Sequence, residues 1–317
     1  MGEAEKKKLI ILTGPTAVGK TELSIKLAQK INGEIISADS IQVYKHLDIG
    51  SAKITKDEMK GVPHHLIDVL EPDFDFNVAL FQEMALEAME GIYLRGRIPI
   101  IVGGTGFYIQ ALLNDIDFKE NNDDGYRLEL QKIYNEKGSG YLYDMLKETD
   151  PESALNIHEN NVKRVIRALE YYHQTGQKIS EHNENERQKE SPYSFAYFVL
   201  NCNRDKLYER INMRVDLMVK AGLYEEVKNL VEKYHLTSDM VSMQGLGYKE
   251  MIDVVNGTSS IDDAVYLIKR DTRHFAKRQL TWFRREREVT WLDKDIYDTE
   301  DKQLQFMIDI LRSKGII

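Results

Sequence analysis

The chain has 317 residues, 42% of them hydrophobic, which suits one large or two modest domains with a real core. Its single cysteine, Cys202, excludes an intrachain disulfide framework and a multi-cysteine metal site, and reads as a small apolar residue just after the run Phe195–Asn201. The formal net charge of −9 argues against a strong general affinity for nucleic acid, so any such affinity has to come from local patches.

The charged start, Met1 to Lys8, leads straight into an apolar run. No signal peptide fits there and no apolar run is long enough to span a membrane, so a cytoplasmic protein without a membrane partner is expected. Leu9–Leu12 reads as a buried strand. Gly14-Pro15-Thr16-Ala17-Val18-Gly19-Lys20-Thr21 follows and fits G-x-x-x-x-G-K-[ST], the phosphate-binding loop pattern. Thr21–Ile31 then reads as an amphipathic helix. Strand, glycine loop and helix are the context this chemistry requires. Gly14 and Gly19 let backbone N–H groups converge on an anion. The helix N-terminus adds a favourable dipole and unpaired donors. Lys20 can pair with phosphate oxygens, and the Thr21 hydroxyl can ligate Mg²⁺. The loop predicts a pyrophosphate-bearing ligand without saying which one.

Glu34–Ser37, His65–Val69 and Ile98–Val102 read as further strands. Asn77–Leu94 reads as a helix ended by Gly96, and Pro99 is tolerable near the start of its strand. This alternation predicts an α/β fold: a P-loop NTPase-like parallel sheet core flanked by helices. The second strand runs into Ser37-Ala38-Asp39-Ser40-Ile41-Gln42-Val43-Tyr44. Ligands in such sheets sit beyond the carboxyl ends of the strands, so Asp39 is expected near the phosphate loop. Three roles are open to it: Mg²⁺ ligand, general base, or cap of the next turn. His64-His65 has no partner at metal spacing and reads as structure where a strand begins. The strand Ile98–Val102 ends in Gly103-Gly104-Thr105-Gly106-Phe107-Tyr108. An ordinary ATPase often has an acidic residue there to hold Mg²⁺, so its absence counts against ATP hydrolysis, although Asp68 could fill the role. Gly103 and Gly104 permit close approach to a ligand, and Thr105 could donate its hydroxyl to a phosphate or a base. The other reading is a tight turn before a helix.

The texture changes near Asn114. Residues 121–187 show only helical segments, Asp124–Lys137, Tyr141–Glu148 and Asn161–Thr175, the last stopped by Gly176. Asn183–Lys189 reads as a linker or loop. Tyr197–Leu200 returns as a buried strand, and Val289–Leu292 is a late one after a mostly helical stretch. The predicted organisation is a core domain in two parts, 1–114 and 191–317, with an all-helical insertion domain at 115–190. Basic residues concentrate between Lys269 and Arg287. At helical spacing Lys269, Arg273 and Lys277 share one face, and Val265, Ile268, Phe275 and Trp282 form an apolar stripe on another. This basic helix reads either as a solvated face or as a phosphate-contacting surface.

Five motifs stand in one order over nearly the whole chain: GPTAVGKT at 14–21, ADSIQVY at 38–44, GGTGFY at 103–108, QGLGYKE at 244–250 and TRHFAKRQLTWFR at 272–284. Together they resemble the tRNA dimethylallyltransferase (tRNA isopentenyltransferase) family in its bacterial form. The zinc-finger extension of many eukaryotic members is absent, in keeping with the single cysteine. The resemblance implies transfer of a dimethylallyl group from dimethylallyl diphosphate to N6 of the adenosine on the 3′ side of a tRNA anticodon, with Mg²⁺ as cofactor. It implies that the loop 14–21 holds the isoprenoid diphosphate and that Asp39 is the general base. It also implies that Thr105 contacts substrate near the reacting centre and that Arg214 contacts the leaving diphosphate. Asp39, Ser40, Ile41, Gln42 and Thr105 then face the extruded adenosine. Ser40 and Gln42 are its expected readers, because an amide can bond adenine's edge on two sides. Further contacts to the anticodon stem-loop are implied for Arg127, Lys163, Arg164 and Arg167 in the insertion. Gln244, Lys249, Lys277, Arg278, Gln279 and Arg284 are the candidates elsewhere. A charged helix face is the other reading of Arg164 and Arg167. The chain carries Gly245 where many members have a larger residue, and Lys249 where arginine is frequent. Two alternatives stand beside this reading: an adenylate isopentenyltransferase acting on free AMP, and an RNA-binding P-loop ATPase or kinase. A monomer is the default.

Overall fold

The computed structural model of the chain describes residues 6–116, 118 and 125–317. They divide into two compact units, Met1–Leu113 with Pro192–Ile317, and Asn114–Ser191.

The larger unit begins with β1 (Lys7–Thr13), in which Leu9, Ile10, Ile11 and Leu12 are all buried. Leu9 and Ile11 pack into the core on one face of the sheet, Ile10 and Leu12 into the core on the other. A strand covered on both faces is apolar throughout, which explains the unbroken run. Each such side chain contributes roughly 1.5–3 kcal/mol by burial. α1 (Lys20–Ile31) leads to β2 (Gly33–Ala38) and β3 (His64–His65). The expected strand over 65–69 is thus only two residues long. Leu66 and Asp68 take positive φ of 61° and 62°, and the chain turns so that Asp68 and Val69 N–H bond the carbonyls of Gln42 and Val43. His64 Nδ1 donates to Val62 O at 2.8 Å and His65 Nε2 pairs with Glu34 at 2.7 Å, so both histidines serve structure. α2 (Val78–Leu94) is capped by Asn77, whose side chain accepts from Leu80 N at 3.1 Å. β4 (Ile98–Gly103) carries Pro99 opposite Glu34 of β2, one residue before its pairing with β1 begins at Ile100. α3 (Gly106–Leu113) closes this half.

The smaller unit is helical: α4 (Tyr126–Thr149), α5 (Pro151–Asn156), α6 (Val162–Thr175) and α7 (Ile179–Gln188). The two helices expected over 124–148 are both present within α4, parted by a kink at Gly138, whose φ of 81° and ψ of 176° are not helical; Asp124 lies outside the described residues. The expected loop 183–189 belongs instead to α7, apart from Lys189. Its start is held by Asp150, whose carboxylate accepts Ser180 N at 3.0 Å and Ser180 Oγ at 2.7 Å while also capping α5 through Ser153 N. Glutamate, glutamine and arginine propagate a helix once such a start exists.

The chain then returns to the larger unit with β5 (Tyr193–Asn201), α8 (Arg204–Lys220), α9 (Leu223–Tyr234), α10 (Tyr248–Val255), α11 (Ile261–Phe283), β6 (Val289–Asp293) and α12 (Glu300–Ser313). The six strands form one parallel sheet in the order β3-β2-β4-β1-β5-β6. Their carboxyl ends therefore lie on one edge of the unit. α11 packs against α8 and α10 and buries Ala264, Ile268, Ala276, Gln279 and Phe283. The expected stripe is corrected accordingly. Val265 and Trp282 only flank the core, and Phe275 lies outside it beneath the Arg278 guanidinium. Small residues at 264 and 276 let α11 approach its neighbours closely, so the buried face is set by size as well as apolarity. Two of the three residues on the basic face are tied to α8: Lys269 pairs with Asp216 at 2.5 Å, and Arg273 donates to Asn212 at 2.7 Å.

Candidate active site

The phosphate loop leaves β1 with Gly14 at φ 147°, Ala17 at 61° and Gly19 at 94°. Gly14 has no room for a side chain, since a Cβ there would lie 2.7 Å from Leu200 O. Val18 is fully buried and anchors the loop from below, Pro15 is buried as well, and Thr16 and Ala17 are half-buried. Gly19 caps α1 in the left-handed conformation that glycine adopts without strain. Lys20 Nζ donates to Gly14 O and Pro15 O, both at 2.9 Å. Burial and the Arg214 charge push the Lys20 ammonium down to about 7, against the pull of Asp39. Arg214, on α8, is likewise lowered by burial, with Asp39 opposing and Arg210 adding to the effect. Lys20, Arg214 and Asp39 therefore share one electrostatic site beyond the strand ends.

Two further cations belong to it. The space beside Gly19 is bounded by Lys294 Nζ and the Arg210 guanidinium, 2.9 and 3.1 Å from where a Cβ would stand. Lys294 Nζ donates to Val18 O at 3.3 Å, and burial, with Arg210 beside it, lowers its pKa. Neither residue is among the sequence candidates, yet both carry a signal. Arg210 stands one helical turn before Arg214, and Lys294 follows the carboxyl end of β6, where ligands of such sheets gather.

The turn after β2 forms the other half of the site. Asp39 Oδ1 accepts Ile41 N at 2.9 Å and Gln42 N at 3.2 Å. The cap is thus realised through one oxygen, and the second oxygen takes no part in it. Ile41 packs on the core and against Gly245, where a Cβ would lie 3.1 Å from its side chain. Ser40 is half-buried. Gln42 Nε2 donates to Ser51 O at 3.2 Å and Ala52 O at 3.3 Å. Its amide is therefore not offered on two sides, contrary to expectation, because the donor end is engaged inside the chain.

Thr105 N bonds Ala38 O at 3.3 Å, which ties the loop after β4 to the end of β2. Among the described residues the Thr105 hydroxyl has no partner. The glycines around it are required by the packing of the chain itself. A Cβ on Gly103 would strike the Ala38 backbone, one on Gly104 the Gln279 amide, and one on Gly106 the Trp282 ring. Chain packing takes the space. Gln279, expected to meet tRNA, is buried and donates Nε2 to Gly104 O at 3.0 Å while Oε1 accepts Thr16 N at 2.9 Å. It joins the phosphate loop to the loop after β4. Asp68 does not stand in for the missing acid after β4. It follows edge strand β3, and its carboxylate pairs with Lys53 at 2.7 Å.

Gln244 donates to Ser238 O and is exposed, and Lys249 lies 3.4 Å from Glu250. Lys277, Arg278 and Arg284 are exposed on and just after α11. In the smaller unit Arg127, Lys163, Arg164 and Arg167 are exposed. The buried Glu170 holds Arg127 at 3.7 Å and Arg167 at 3.4 Å. No group of three His, Cys, Asp or Glu suited to a metal occurs among the described residues. Thr21 is exposed in the first turn of α1, with its hydroxyl unengaged among the described residues.

The pattern of the IPP transferase family matches residues 42–286, and that of a family described as isopentenyl transferase matches residues 7–69. The chain belongs to the tRNA dimethylallyltransferase (IPP transferase) family. A tRNA dimethylallyltransferase of Lachnoclostridium phytofermentans is 58% identical over 310 residues, covering 98% of this chain and 99% of that protein. The crystal structure of a full-length tRNA isopentenylpyrophosphate transferase from Bacillus halodurans is similar at 44% identity and a TM-score of 0.73, with 98% of each chain covered. A eukaryotic dimethylallyltransferase acting on tRNA superposes with a TM-score of 0.82 at 32% identity, covering 98% of this chain and 80% of that one. The α/β core with its parallel sheet is the fold of this transferase family.

Proposed function

We propose that the chain transfers the dimethylallyl group of dimethylallyl diphosphate to N6 of the adenosine 3′ to the anticodon in tRNA, releasing diphosphate. The observation that carries this reading is the place of Asp39, just beyond the carboxyl end of β2 with one oxygen spent on its turn, on the same sheet edge as the phosphate loop after β1. As the allylic C–O bond breaks, negative charge gathers on the diphosphate and positive charge on the allylic carbon. Lys20, Arg214, Arg210, Lys294 and the loop N–H groups would supply the charge and donors for the first, Lys20 after leaving the loop carbonyls it bonds in the ligand-free chain. The exocyclic amine attacks the carbon and its proton passes to the Asp39 oxygen that is not spent on the cap. An adenine stacked in an anticodon loop must leave the stack, at a cost of roughly a few kcal/mol that pocket contacts offset.

Mg²⁺ would be held by the Thr21 hydroxyl with diphosphate oxygens and water. A lone hydroxyl suits this ion, which keeps several waters and takes substrate phosphates rather than an all-protein cage. When bound it adds to the charge that stabilises the leaving group. A tRNA acceptor fits the cytoplasmic location expected for the chain, in which no described helix is long and apolar enough to cross a membrane. The exposed basic residues of α11 and of the smaller unit are the candidates for phosphate contacts beyond the adenosine.

The test is label transfer from radiolabelled dimethylallyl diphosphate, with unmodified tRNA and AMP as parallel acceptors. Label mapped to the adenosine beside the anticodon is the expected result. Label in AMP alone, or RNA-stimulated ATP hydrolysis without transfer, would overturn the assignment.

A further inference from the structure

Gln42, one of the two expected readers of the base, is held by a part of the chain far away in sequence. Glu226, in the first turn of α9, accepts Asp48 N at 3.0 Å and Ile49 N at 2.7 Å on one oxygen. Its other oxygen accepts Gly50 N at 3.1 Å and the Tyr248 hydroxyl at 2.8 Å. Tyr248 closes the arrangement by accepting Ser51 N at 3.1 Å. Its ring is fully buried and so close to Gly50 that a Cβ there would lie 2.6 Å from Cζ. One carboxylate and one phenol thus fix four successive backbone N–H groups. Charge-assisted bonds of this kind are among the strong ones. The segment so fixed presents the carbonyls of Ser51 and Ala52 to Gln42 Nε2.

Two carbonyl oxygens on one end of an amide settle its orientation, because only the nitrogen can donate to them. Gln42 Oε1 is then the end left to a ligand, and it has no partner among the described residues. Gln42 and Asp39 stand on the same turn, since Gln42 N donates to the Asp39 carboxylate. A fixed acceptor beside a fixed base suits an exocyclic amine, which has two hydrogens to give. It repels a purine with a carbonyl at the same position.

We propose that Glu226 and Tyr248 are positioning residues that set Gln42 as an acceptor only, and thereby select adenine against 6-oxopurines. The proposal rests on the reading of the site given above. It assigns that site a means of discrimination and places its origin in α9 and α10.

The experiment measures binding of anticodon stem-loop RNAs that carry adenosine or inosine at the target position, together with transfer to the adenosine RNA and affinity for inorganic diphosphate. Wild-type protein is expected to prefer the adenosine RNA about tenfold, the scale of one hydrogen bond made against one left unmade. In Glu226→Gln the amide nitrogen faces backbone N–H groups and releases the segment. The preference falls towards one, KM for RNA rises and diphosphate affinity stays. Gln42→Ala produces the same loss, and the double variant is no worse than Gln42→Ala alone. Tyr248→Phe keeps the ring, folds in the same space and gives a smaller loss. The preference is a ratio, so a reduced folded fraction does not move it. Retention of the wild-type preference in Glu226→Gln and Tyr248→Phe, or additive losses in the double variant, would overturn the proposal. Absence of transfer by wild-type protein would instead overturn the functional reading, and the same assay reads it separately.

Discussion

The phosphate loop and the turn after β2 follow strands on either side of β4, yet their conformations are secured in opposite ways. The loop at 14–21 is held mainly by its own residues: glycines at positive φ, a buried Val18, and Lys20 folded back on two loop carbonyls. The segment after β2 is capped at its start by Asp39, but its 48–51 stretch, against which Gln42 is set, is held by Glu226 and Tyr248, 176 to 197 residues further along the chain. Binding a diphosphate needs N–H groups and charge, which a short motif can supply. Choosing a base needs one amide turned the right way, and that requires a scaffold. The first property is therefore written locally and the second is written across the fold.

The sharpest way to separate the two sides is at Asp39, which serves the turn with one oxygen and, in the proposed reaction, the substrate with the other. Asp39→Asn keeps an acceptor for Ile41 and Gln42 N–H but cannot take a proton. Transfer is expected to fall by roughly 10³. Melting temperature should stay near wild type. Turnover at the wild-type rate in this variant would remove Asp39 from the base role and leave it a cap. On the donor side, Arg214→Ala removes charge from the leaving group while leaving the 39–52 turn intact. A loss of about 10² in single-turnover rate is expected, with RNA affinity unchanged. An equal loss in RNA affinity would mean that Arg214 does not belong to the donor side alone.

Gln279 tests the join between loops rather than either side. Gln279→Ala abandons both Thr16 N and Gly104 O, two partners of a half-buried region, and about thirtyfold in kcat/KM is expected to go. Gln279→Glu should divide the effect. Its carboxylate still accepts from Thr16 N, so donor affinity holds, but it faces Gly104 O and loses the link to the loop after β4. Identical behaviour of the two variants would mean that the join carries no information between the loops.

These experiments follow the boundary of what the sequence discloses. Strands β1, β2, β4, β5 and β6, the phosphate loop and the position of Asp39 are legible because each depends on residues within a few positions. β3 is misread because Leu66 and Asp68 adopt positive φ to reach the Gln42–Val43 backbone, a contact invisible to periodicity. α7 is misread because its start is capped by Asp150, thirty positions earlier. Gly103 and Gly104 read either as room for a ligand or as a tight turn, and the neighbours that demand glycine there, Ala38 and Gln279, come from elsewhere in the chain. Gln279 reads as an RNA contact because it stands in a basic segment, and only the fold reveals that it points inward. Arg210 and Lys294 show the converse. Their spacing and their place at strand ends carry a usable signal once the sheet order is known.

The smallest of the expected effects concerns the charge of the donor loop itself. Lys20 is pushed from the ordinary 10.5 down to about 7 by burial first and the Arg214 charge second. In the ligand-free protein its ammonium is therefore half lost near pH 7, mostly present about a unit below and mostly gone about a unit above. A diphosphate favours the charged form, so its affinity should fall with rising pH, by about tenfold between pH 6 and pH 8 for one proton of this pKa. The ligand titrates as well, and its own ionisation works in the opposite direction. Lys20→Arg separates the two, because arginine stays charged across the range. The ratio of wild-type to variant affinity then isolates the Lys20 proton, with an inflection near pH 7. Affinity for the stem-loop RNA in the absence of diphosphate should show no such inflection, since the 48–51 stretch against which Gln42 is set is held by Glu226 and Tyr248 rather than by the loop charge. A matching inflection in RNA binding would mean that the two sides share a titrating group, and the division between a locally written donor site and a scaffolded acceptor site would fail at Lys20.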